Sequence, residues 1–279
     1  MTESYDPAEH YDRVTHAWGM LLGAELHYGV FDSPDEELDV ATHRLTERMA
    51  TGAQFAPGLR VLDVGCGTGA QSRFLAATYG VDSVGITTSP VGVATARELT
   101  ETAGLSGQVS FELRNATANE FDDESFDRVW ILESSHLMRD REALVSEAVR
   151  VLKPAGRLVW CDIVRHRTIP FLELRERHEE FATLREAFGE ARMEPLADYA
   201  AWFEKAGLVV EHVDDLTQAT LPTFSAWRAN AAQHRDAVVE AIGEHGHSAF
   251  VRSSDVLESL WRDGTFGYGL IAAAKPALP

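Results

Sequence analysis

The sequence predicts an α/β fold built on a mostly parallel sheet, and three observations support this prediction. From Leu59 to Val164, short runs rich in β-branched residues alternate with longer amphipathic stretches, a pattern typical of parallel strands with helices on both faces. A glycine-rich loop at 65–69 joins the first of these runs to a predicted helix. Two further strand-like runs, each approached through glycine, follow much later in the sequence.

The predicted elements follow one another in a regular order. Strands are expected near 60–64, 83–87, 108–113, 127–132, 157–163, 208–213 and 266–274, and helices near 70–79, 90–103, 140–152 and 197–206. Lys153-Pro154-Ala155-Gly156 predicts the end of the third helix, because proline stops a helix and glycine permits the turn into the next strand.

Three further segments are predicted to be helical and are assigned to a cap over the ends of the strands. Residues 1–56 predict two helices, residues 166–194 a charged helix that carries Phe171, Phe181 and Phe188, and residues 217–264 two more. The sheet domain then takes residues 57–165, 195–216 and 265–279. Ligands of open α/β sheets bind beyond the carboxyl ends of the strands, so we expect the cap to shape a pocket and Phe171 to contact the ligand. Plain packing of the cap helices is the alternative for each phenylalanine.

Composition excludes several classes of partner. The net charge of −19, from 44 acidic and 25 basic residues, disfavours nucleic acid and anionic membranes. No apolar run approaches the roughly 20 residues of a membrane span, and no signal peptide is recognisable, so a cytoplasmic location is expected. Neither Cys66 nor Cys161 predicts a disulfide. The histidines form no helical i, i+4 pair with a carboxylate, so no metal is expected. The composition leaves the oligomeric state open, with a homo-oligomer as one alternative.

The glycine loop has a distinctive spacing, with Asp63 before it and Gly65, Gly67 and Gly69 within it. Dinucleotide sites usually have G-x-G-x-x-G, whereas this loop is G-x-G-x-G. It resembles motif I of the class I S-adenosylmethionine-dependent methyltransferases, and the resemblance runs from Arg60 to about Lys275. It implies a Rossmann-like sheet of seven strands with a helical cap. S-adenosylmethionine would be the cofactor, with its ribose and amino-acid part against these four residues.

The loops after the second and third strands carry the next candidates. The usual acidic residue for the ribose is missing, which disfavours a nicotinamide cofactor, and Thr87 and Thr88 are the candidates instead. Gly-Ile-Thr-Thr-Ser resembles the Gly-[Val/Ile]-Thr-x-Ser of some small-molecule methyltransferases. Alternatively, Thr87 and Ser89 cap the following helix. By the same resemblance, Asn115 or the backbone of Ala116 would meet the adenine amino group.

The loop after the fourth strand contains Glu133 and His136, and it faces the sulfonium in the proteins that it resembles. A neutral imidazole can take the proton that the acceptor loses, so His136 is the candidate general base. Asp162, at the end of the fifth strand, is expected to lie nearby and to hold the histidine in the right tautomer. This pair resembles that of the rebeccamycin-type sugar O-methyltransferases. A structural histidine bonded to backbone is the alternative for His136.

The amino-terminal segment contributes aromatic and histidine candidates. In the enzymes that the chain resembles, a string like His27-Tyr28-Gly29 closes over the cofactor and borders the acceptor. Tyr28 and Trp18 are therefore candidate contacts, since aromatic faces attract cations such as a sulfonium. His27 is a second candidate acid or base, and a packed, hydrogen-bonded histidine is the alternative.

Together these features predict an S-adenosylmethionine-dependent methyltransferase with a small, cyclic or aromatic acceptor from secondary metabolism. The first expectation is transfer to a hydroxyl oxygen with His136 as base. Transfer to an electron-rich carbon such as an indole, enol or alkene is the alternative, and N-methylation belongs to the same group. An NAD-dependent oxidoreductase and a non-catalytic binding protein remain as other classes at this point.

Overall fold

The computed structural model of the chain describes residues 17–23 and 25–277, and it divides into two compact units. The sheet unit comprises Glu47–Asp162, Ala197–Asp214 and Gly269–Pro279, and the helical unit comprises Met1–Thr46, Ile163–Leu196 and Asp215–Tyr268. Each of the two units contains some of the candidate site residues.

The sheet is built from seven strands, and its core matches the predicted pattern closely. The strands are β1 (Arg60–Val64), β2 (Asp82–Thr87), β3 (Val109–Leu113), β4 (Phe126–Leu132), β5 (Leu152–Arg165), β6 (Val209–Asp215) and β7 (Phe266–Ala274). Their order is β3-β2-β1-β4-β5-β7-β6, and the pairs from β3 to β5 are parallel. The predicted Rossmann-like, mostly parallel sheet is confirmed.

The order of the strands reverses between β1 and β4, which is the point where open α/β sheets bind their ligands. The inward-facing residues of β1 and β4 are almost wholly buried because helices cover both faces of a parallel sheet. Because β1 and β4 are adjacent, the loops that follow these two strands begin side by side.

The helices of the described residues alternate with the strands as predicted, with additions outside the sheet. Residues 17–22 form α1. The others are α2 (Leu38–Ala53), α3 (Ala70–Tyr79), α4 (Pro90–Thr102), α5 (Arg141–Val151), α6 (Phe171–Glu176), α7 (His178–Phe188), α8 (Leu196–Lys205), α9 (Thr217–Thr220), α10 (Thr223–Gln233) and α11 (Arg235–Arg262).

Two helical predictions differ from the structure. The single charged helix expected over 166–194 is two helices, α6 and α7, which meet at Arg177, where the guanidinium pairs with Glu173, Glu180 and Asp263. The two helices expected over 217–264 are three. Gly243 also bends the last one, since its φ of 77° and ψ of 165° are open essentially to glycine alone.

The segment Lys153-Pro154-Ala155-Gly156 is also different from its prediction. It does not form a turn before the strand, because α5 already ends at Val151 and β5 begins at Leu152. The strand absorbs the segment through a register shift against β4, with Ala155 in the left-handed region at φ 60°. Asp162 consequently lies within a long strand and not at its end.

Candidate active site

The glycine loop after β1 adopts the conformations that its sequence predicts. Gly65, Gly67 and Gly69 all have left-handed φ values of 79°, 52° and 76°. A Cβ on Gly65 would overlap Ser134, and one on Gly69 would overlap Phe111, whereas no described atom lies within 4 Å of the same position at Gly67. Gly65 and Gly69 are therefore needed for packing within the protein. Only Gly67 leaves an open approach to its backbone.

Asp63 is buried in β1 behind this loop. Its Oδ2 accepts a hydrogen bond of 2.5 Å from the hydroxyl of Ser72 in α3, so the carboxyl group holds the start of that helix. Burial raises the pKa of Asp63 to about 6, although the hydrogen bonds from Ser72 lower it. In this structure Asp63 orders the loop from behind and does not present its carboxylate on the surface.

The loop after β2 combines a helix cap with one exposed threonine. Ser89 is the N-cap of α4, where its Oγ accepts from the amide of Gly92 at 2.8 Å and Pro90 follows at the first helical position. Thr87 Oγ1 accepts from the amide of Ser89 at 3.2 Å. The hydroxyls of Thr87 and Ser89 are thus used locally, as the capping alternative predicts, while Thr88 is exposed.

Asn115 forms a tight local turn after β3. Its Oδ1 accepts from the amide and the hydroxyl of Thr117 at 3.0 and 2.9 Å, which leaves the side-chain oxygen largely occupied. Ala116 beside it is buried. Of the two candidates for the adenine amino group, the side-chain oxygen of Asn115 therefore has the weaker claim.

The loop after β4 is strained and is tied to the loop after β1. Glu133 has a φ of 46°, which is unusual for a side chain that is not glycine, and its amide donates to the carbonyl of Cys161. The hydroxyl of Ser134 donates to the carbonyl of Val64 at 2.7 Å. These bonds fix the entry into a short 3₁₀ turn, Ser135–Leu137, which carries His136.

The structure brings His136 and Asp162 together, as the sequence predicts. The Nδ1 of His136 lies 2.6 Å from Oδ1 of Asp162, and the main-chain amide of His136 donates to Oδ2 at 3.1 Å. No described residue hydrogen-bonds the second ring nitrogen, Nε2. With Asp162 ionised, Nδ1 carries the proton and Nε2 is left as an acceptor.

Charges around the imidazole move its pKa in opposite directions. Burial disfavours the imidazolium, but the charge and hydrogen bond of Asp162, together with the charge of Glu133, outweigh burial and the nearby Arg141. The pKa of His136 is therefore raised above its usual value, and the nitrogen is a stronger base than a free histidine.

Sequence reasoning missed the residues that support Asp162 from behind. The hydroxyl of Ser135 donates to Oδ2 of Asp162 at 2.6 Å, and it lies 2.9 Å from Nε1 of Trp160 and 3.0 Å from the hydroxyl of Tyr199. Tyr199 is on α8, far along the chain, so no local pattern connects it to the site. Ser135, by contrast, directly precedes His136, and its position between Ser134 and the histidine was the available signal.

The candidates of the amino-terminal segment lie in the helical unit. His27 is buried with both ring nitrogens engaged, Nδ1 with the carbonyl of Tyr28 at 2.7 Å and Nε2 with Glu25 and Thr46 at 3.1 and 3.2 Å. These contacts are those of a packed histidine. The ring of Tyr28 is stacked on Trp261, with centroids 5.4 Å apart, so one face of Tyr28 is already covered.

Trp18 and Phe171 differ greatly in their surroundings. Trp18 is buried beside Phe188, with ring centroids 6.3 Å apart. Phe171 is 77% exposed on α6, so it does not pack in a hydrophobic core. The packing alternative therefore does not describe Phe171, and a role in contacting a ligand stays a prediction.

Within residues 17–23 and 25–277, no group of three or more histidine, cysteine, aspartate or glutamate side chains is arranged to hold a metal ion. No helix in that part of the chain has the length and apolar character to cross a bilayer. Cys66 and Cys161 are both buried.

The fold and the loops at its switch point define a class I methyltransferase. Residues 1–264 match the model of the family described as mycolic acid cyclopropane synthetase, and the chain belongs to this family. The family uses S-adenosylmethionine, which is the cofactor of this protein. The oxidoreductase and the non-catalytic binding protein are therefore not its class.

Several named relatives are similar over nearly the whole chain. Methyltransferase GfsG of Streptomyces halstedii is 32% identical, over 98% of this chain and 95% of its own. The 27-O-demethylrifamycin SV methyltransferase of Amycolatopsis mediterranei (strain S699) is also 32% identical, over 95% of both chains. The crystal structure of the mycolic acid cyclopropane synthase CmaA1, complexed with S-adenosylhomocysteine, has a TM-score of 0.84 at 20% identity and covers 96% of both chains. That likeness shows a shared fold.

Proposed function

We propose that this methyltransferase acts on a small natural-product alcohol and transfers the methyl group to its hydroxyl oxygen, with His136 as the general base. The observation that carries the proposal is the buried pair of His136 Nδ1 and Asp162 Oδ1, 2.6 Å apart, with Nε2 left as an acceptor. A hydroxyl acceptor must lose a proton as it attacks, and Nε2 is the nitrogen that would take it.

The acceptor class is supported by the relatives. The relative from Amycolatopsis mediterranei is named as a methyltransferase of 27-O-demethylrifamycin SV, and this name implies that a hydroxyl group is its acceptor. Phe171, exposed on α6, offers an apolar contact suited to an uncharged natural-product acceptor of this kind. An acceptor that is neither strongly anionic nor macromolecular also agrees with the net charge of −19.

The residues present fit the cofactor. Gly67 leaves a space that a side chain would fill, and Thr88 places an exposed hydroxyl on the neighbouring loop. We assign binding of the cofactor to the loops of Gly65–Gly69, Thr87–Thr88 and Asn115–Ala116, with Glu133 nearby. When bound, S-adenosylmethionine supplies an electrophilic methyl group on a sulfonium.

The remaining roles follow from the contacts of each side chain. Asp162 keeps the proton on Nδ1 and stabilises the imidazolium that forms when Nε2 takes the proton of the acceptor. Because both ring nitrogens of His27 are engaged, we assign it to structure and not to proton transfer. Trp18 and Tyr28 remain proposed contacts of the ligand.

Replacement of His136 by alanine tests the proposal. We expect kcat to fall by roughly 10²–10⁴-fold, the range for loss of general acid/base catalysis, while the affinity for S-adenosylhomocysteine measured by calorimetry stays nearly the same. The acceptor probe is 27-O-demethylrifamycin SV, with related macrocyclic alcohols as a panel. His212→Ala, which removes an exposed histidine on β6, is the control and should retain the wild-type kcat. Equal kcat in His136→Ala and wild type would remove His136 from the mechanism.

A second candidate is methyl transfer to an electron-rich carbon. The family description, a cyclopropane synthetase, favours it because cyclopropane formation builds new bonds at carbon. In that reaction His136 would take a proton from carbon after the attack. Transfer of a ¹³C-labelled methyl group separates the two, since product NMR distinguishes an O-methyl from a C-methyl carbon.

A further inference from the structure

Ser135 lies at the centre of a buried hydrogen-bond network behind the candidate base. It is fully buried, as is Asp162, and Trp160 and Tyr199 flank it within the sheet unit. Its hydroxyl oxygen is within 3.0 Å of three partners: Asp162 Oδ2, Trp160 Nε1 and the Tyr199 hydroxyl. A hydroxyl has one proton and two lone pairs, so these three bonds use all of its capacity.

The directions of these bonds can be deduced one after another. An indole N–H only donates, so Trp160 donates to Ser135. The main-chain amide of His136 likewise only donates to Asp162, whose carboxyl group therefore acts as an acceptor there. Ser135 gives its single proton to Asp162, and its remaining lone pair must accept from Tyr199. These hydrogen bonds, the Tyr199–Ser135–Asp162 relay, therefore run in one direction: Tyr199 donates to Ser135, and Ser135 donates to Asp162.

We infer that Ser135 and Tyr199 are positioning residues, which hold the carboxylate of Asp162 in the orientation that places the proton of His136 on Nδ1. The two act through Asp162 and are not proposed to contact the reacting atoms. The catalytic meaning of this inference rests on the proposed role of His136, whereas its structural content, the state of the imidazole, can be measured without an acceptor.

The charges around the imidazole decide the sign of the expected effect. Asp162 on β5, Glu133 after β4, Arg141 on α5 and Tyr199 on α8 are the titratable and charged groups that face the His136–Asp162 pair within the sheet unit. Burial raises the pKa of Tyr199 to about 12, so Tyr199 stays a donor at working pH. A hydrogen bond donated to the carboxylate spreads its charge, and losing it leaves more charge facing the imidazolium.

The test follows the titration of His136 by NMR in the full chain labelled with ¹⁵N-histidine. The signal is assigned by its absence in His136→Gln, and each protein is measured alone and with S-adenosylhomocysteine. In wild type, we expect the neutral ring to carry its proton on Nδ1. In Ser135→Ala, the pKa of His136 should rise by about 1–2 units, the order expected when a hydrogen bond to a charged group is lost.

Tyr199→Phe removes one hydroxyl and keeps the ring, so it tests the same relay with the least change in packing. In Tyr199→Phe, the pKa of His136 should rise by less than in Ser135→Ala, because Ser135 still donates to Asp162. Two controls match these variants. Ser83→Ala removes a buried serine hydroxyl on β2, and Tyr79→Phe removes a tyrosine hydroxyl on α3. Both should leave the pKa of His136 at its wild-type value.

The outcomes separate this inference from the proposed function. An unchanged or lowered pKa of His136 in both Ser135→Ala and Tyr199→Phe overturns the relay, as does the same rise in the Ser83→Ala control. If the pKa rises as expected but His136→Ala keeps full turnover, the relay stands and the proposed general base fails.

Discussion

At the scale of single residues, the glycine loop separates two requirements that look identical in sequence. Ser134 and Phe111 occupy the space that a Cβ on Gly65 or Gly69 would need, so these two glycines are required for packing. No described atom lies within 4 Å of the same position at Gly67, and this opening supports the proposed contact with the cofactor. Substitution should separate packing at Gly65 from the proposed binding role of Gly67.

We predict that Gly65→Ala mainly lowers stability and that Gly67→Ala mainly lowers the affinity for the cofactor. The left-handed φ costs an alanine about 1–2 kcal/mol of unfolding free energy at either position. Gly65→Ala should lose roughly 1–3 kcal/mol more because its methyl group overlaps Ser134. Gly67→Ala should lose no more than the φ cost, yet bind S-adenosylhomocysteine at least about tenfold more weakly. Urea unfolding and calorimetry measure these two quantities, and wild-type affinity in Gly67→Ala would contradict the assignment.

At the scale of elements, the start of α4 combines a helix cap with the residue proposed to contact the ribose. Ser89 accepts from the amide of Gly92 and begins the helix, while Thr88 beside it is exposed. The sequence predicts both a helix cap and a ribose contact for this short segment. The structure gives the first to Ser89, and the proposed binding role falls most directly on Thr88.

The two roles predict a crossed pattern of effects. Ser89→Ala should lower the free energy of unfolding by about 1 kcal/mol, the usual value of an N-cap, with the affinity for S-adenosylhomocysteine retained. Thr88→Val should do the reverse, weakening the cofactor analogue with little change in stability. Thr102→Val, at the other end of the same helix, serves as the control for affinity. Cofactor affinity that falls in Ser89→Ala but not in Thr88→Val would reverse the assignment.

At the scale of the whole molecule, the acidic surface and the loop geometry select among nucleoside-containing ligands. The chain has a net charge of −19, and the loop after β2 lacks the carboxylate with which NAD sites usually hold the ribose. S-adenosylhomocysteine has no phosphate to be repelled, whereas NAD has two. The family assignment and the electrostatics therefore favour the same cofactor.

Thermal unfolding of the intact chain should show this preference. At about 100 times its Kd, S-adenosylhomocysteine should add about 2.7 kcal/mol to the unfolding free energy, which is several degrees in Tm for a chain of this size. NAD at the same concentration should leave Tm unchanged. A scan with each ligand measures this, and a rise of Tm with NAD alone would contradict the assignment of the cofactor.

Much of the sheet could be predicted from sequence because its signals are local. The runs that become β1 to β4 are short and apolar, and a glycine, a cap residue or a proline marks the start or end of the helices between them. His136 and Asp162 could be paired in advance because β4 and β5 are neighbouring parallel strands, so that the end of β4 at Leu132 lies beside Cys161. The breaks at Arg177 and Gly243 were missed because ion pairs across the fold and a single backbone conformation decide them.

The sequence by itself determined the strands, the left-handed glycine loop and the chemical types at the site, since backbone conformation and hydrophobic pattern depend on near neighbours. Only the tertiary structure decided what each side chain contacts. In the folded protein, Ser134 packs against Gly65, and both ring nitrogens of His27 make hydrogen bonds. Hydrogen bonds also connect Tyr199 through Ser135 to Asp162. The physical reason is that hydrogen bonds inside a protein depend on atoms a few ångströms apart in space, and residues 64 positions apart, such as Ser135 and Tyr199, meet only after folding.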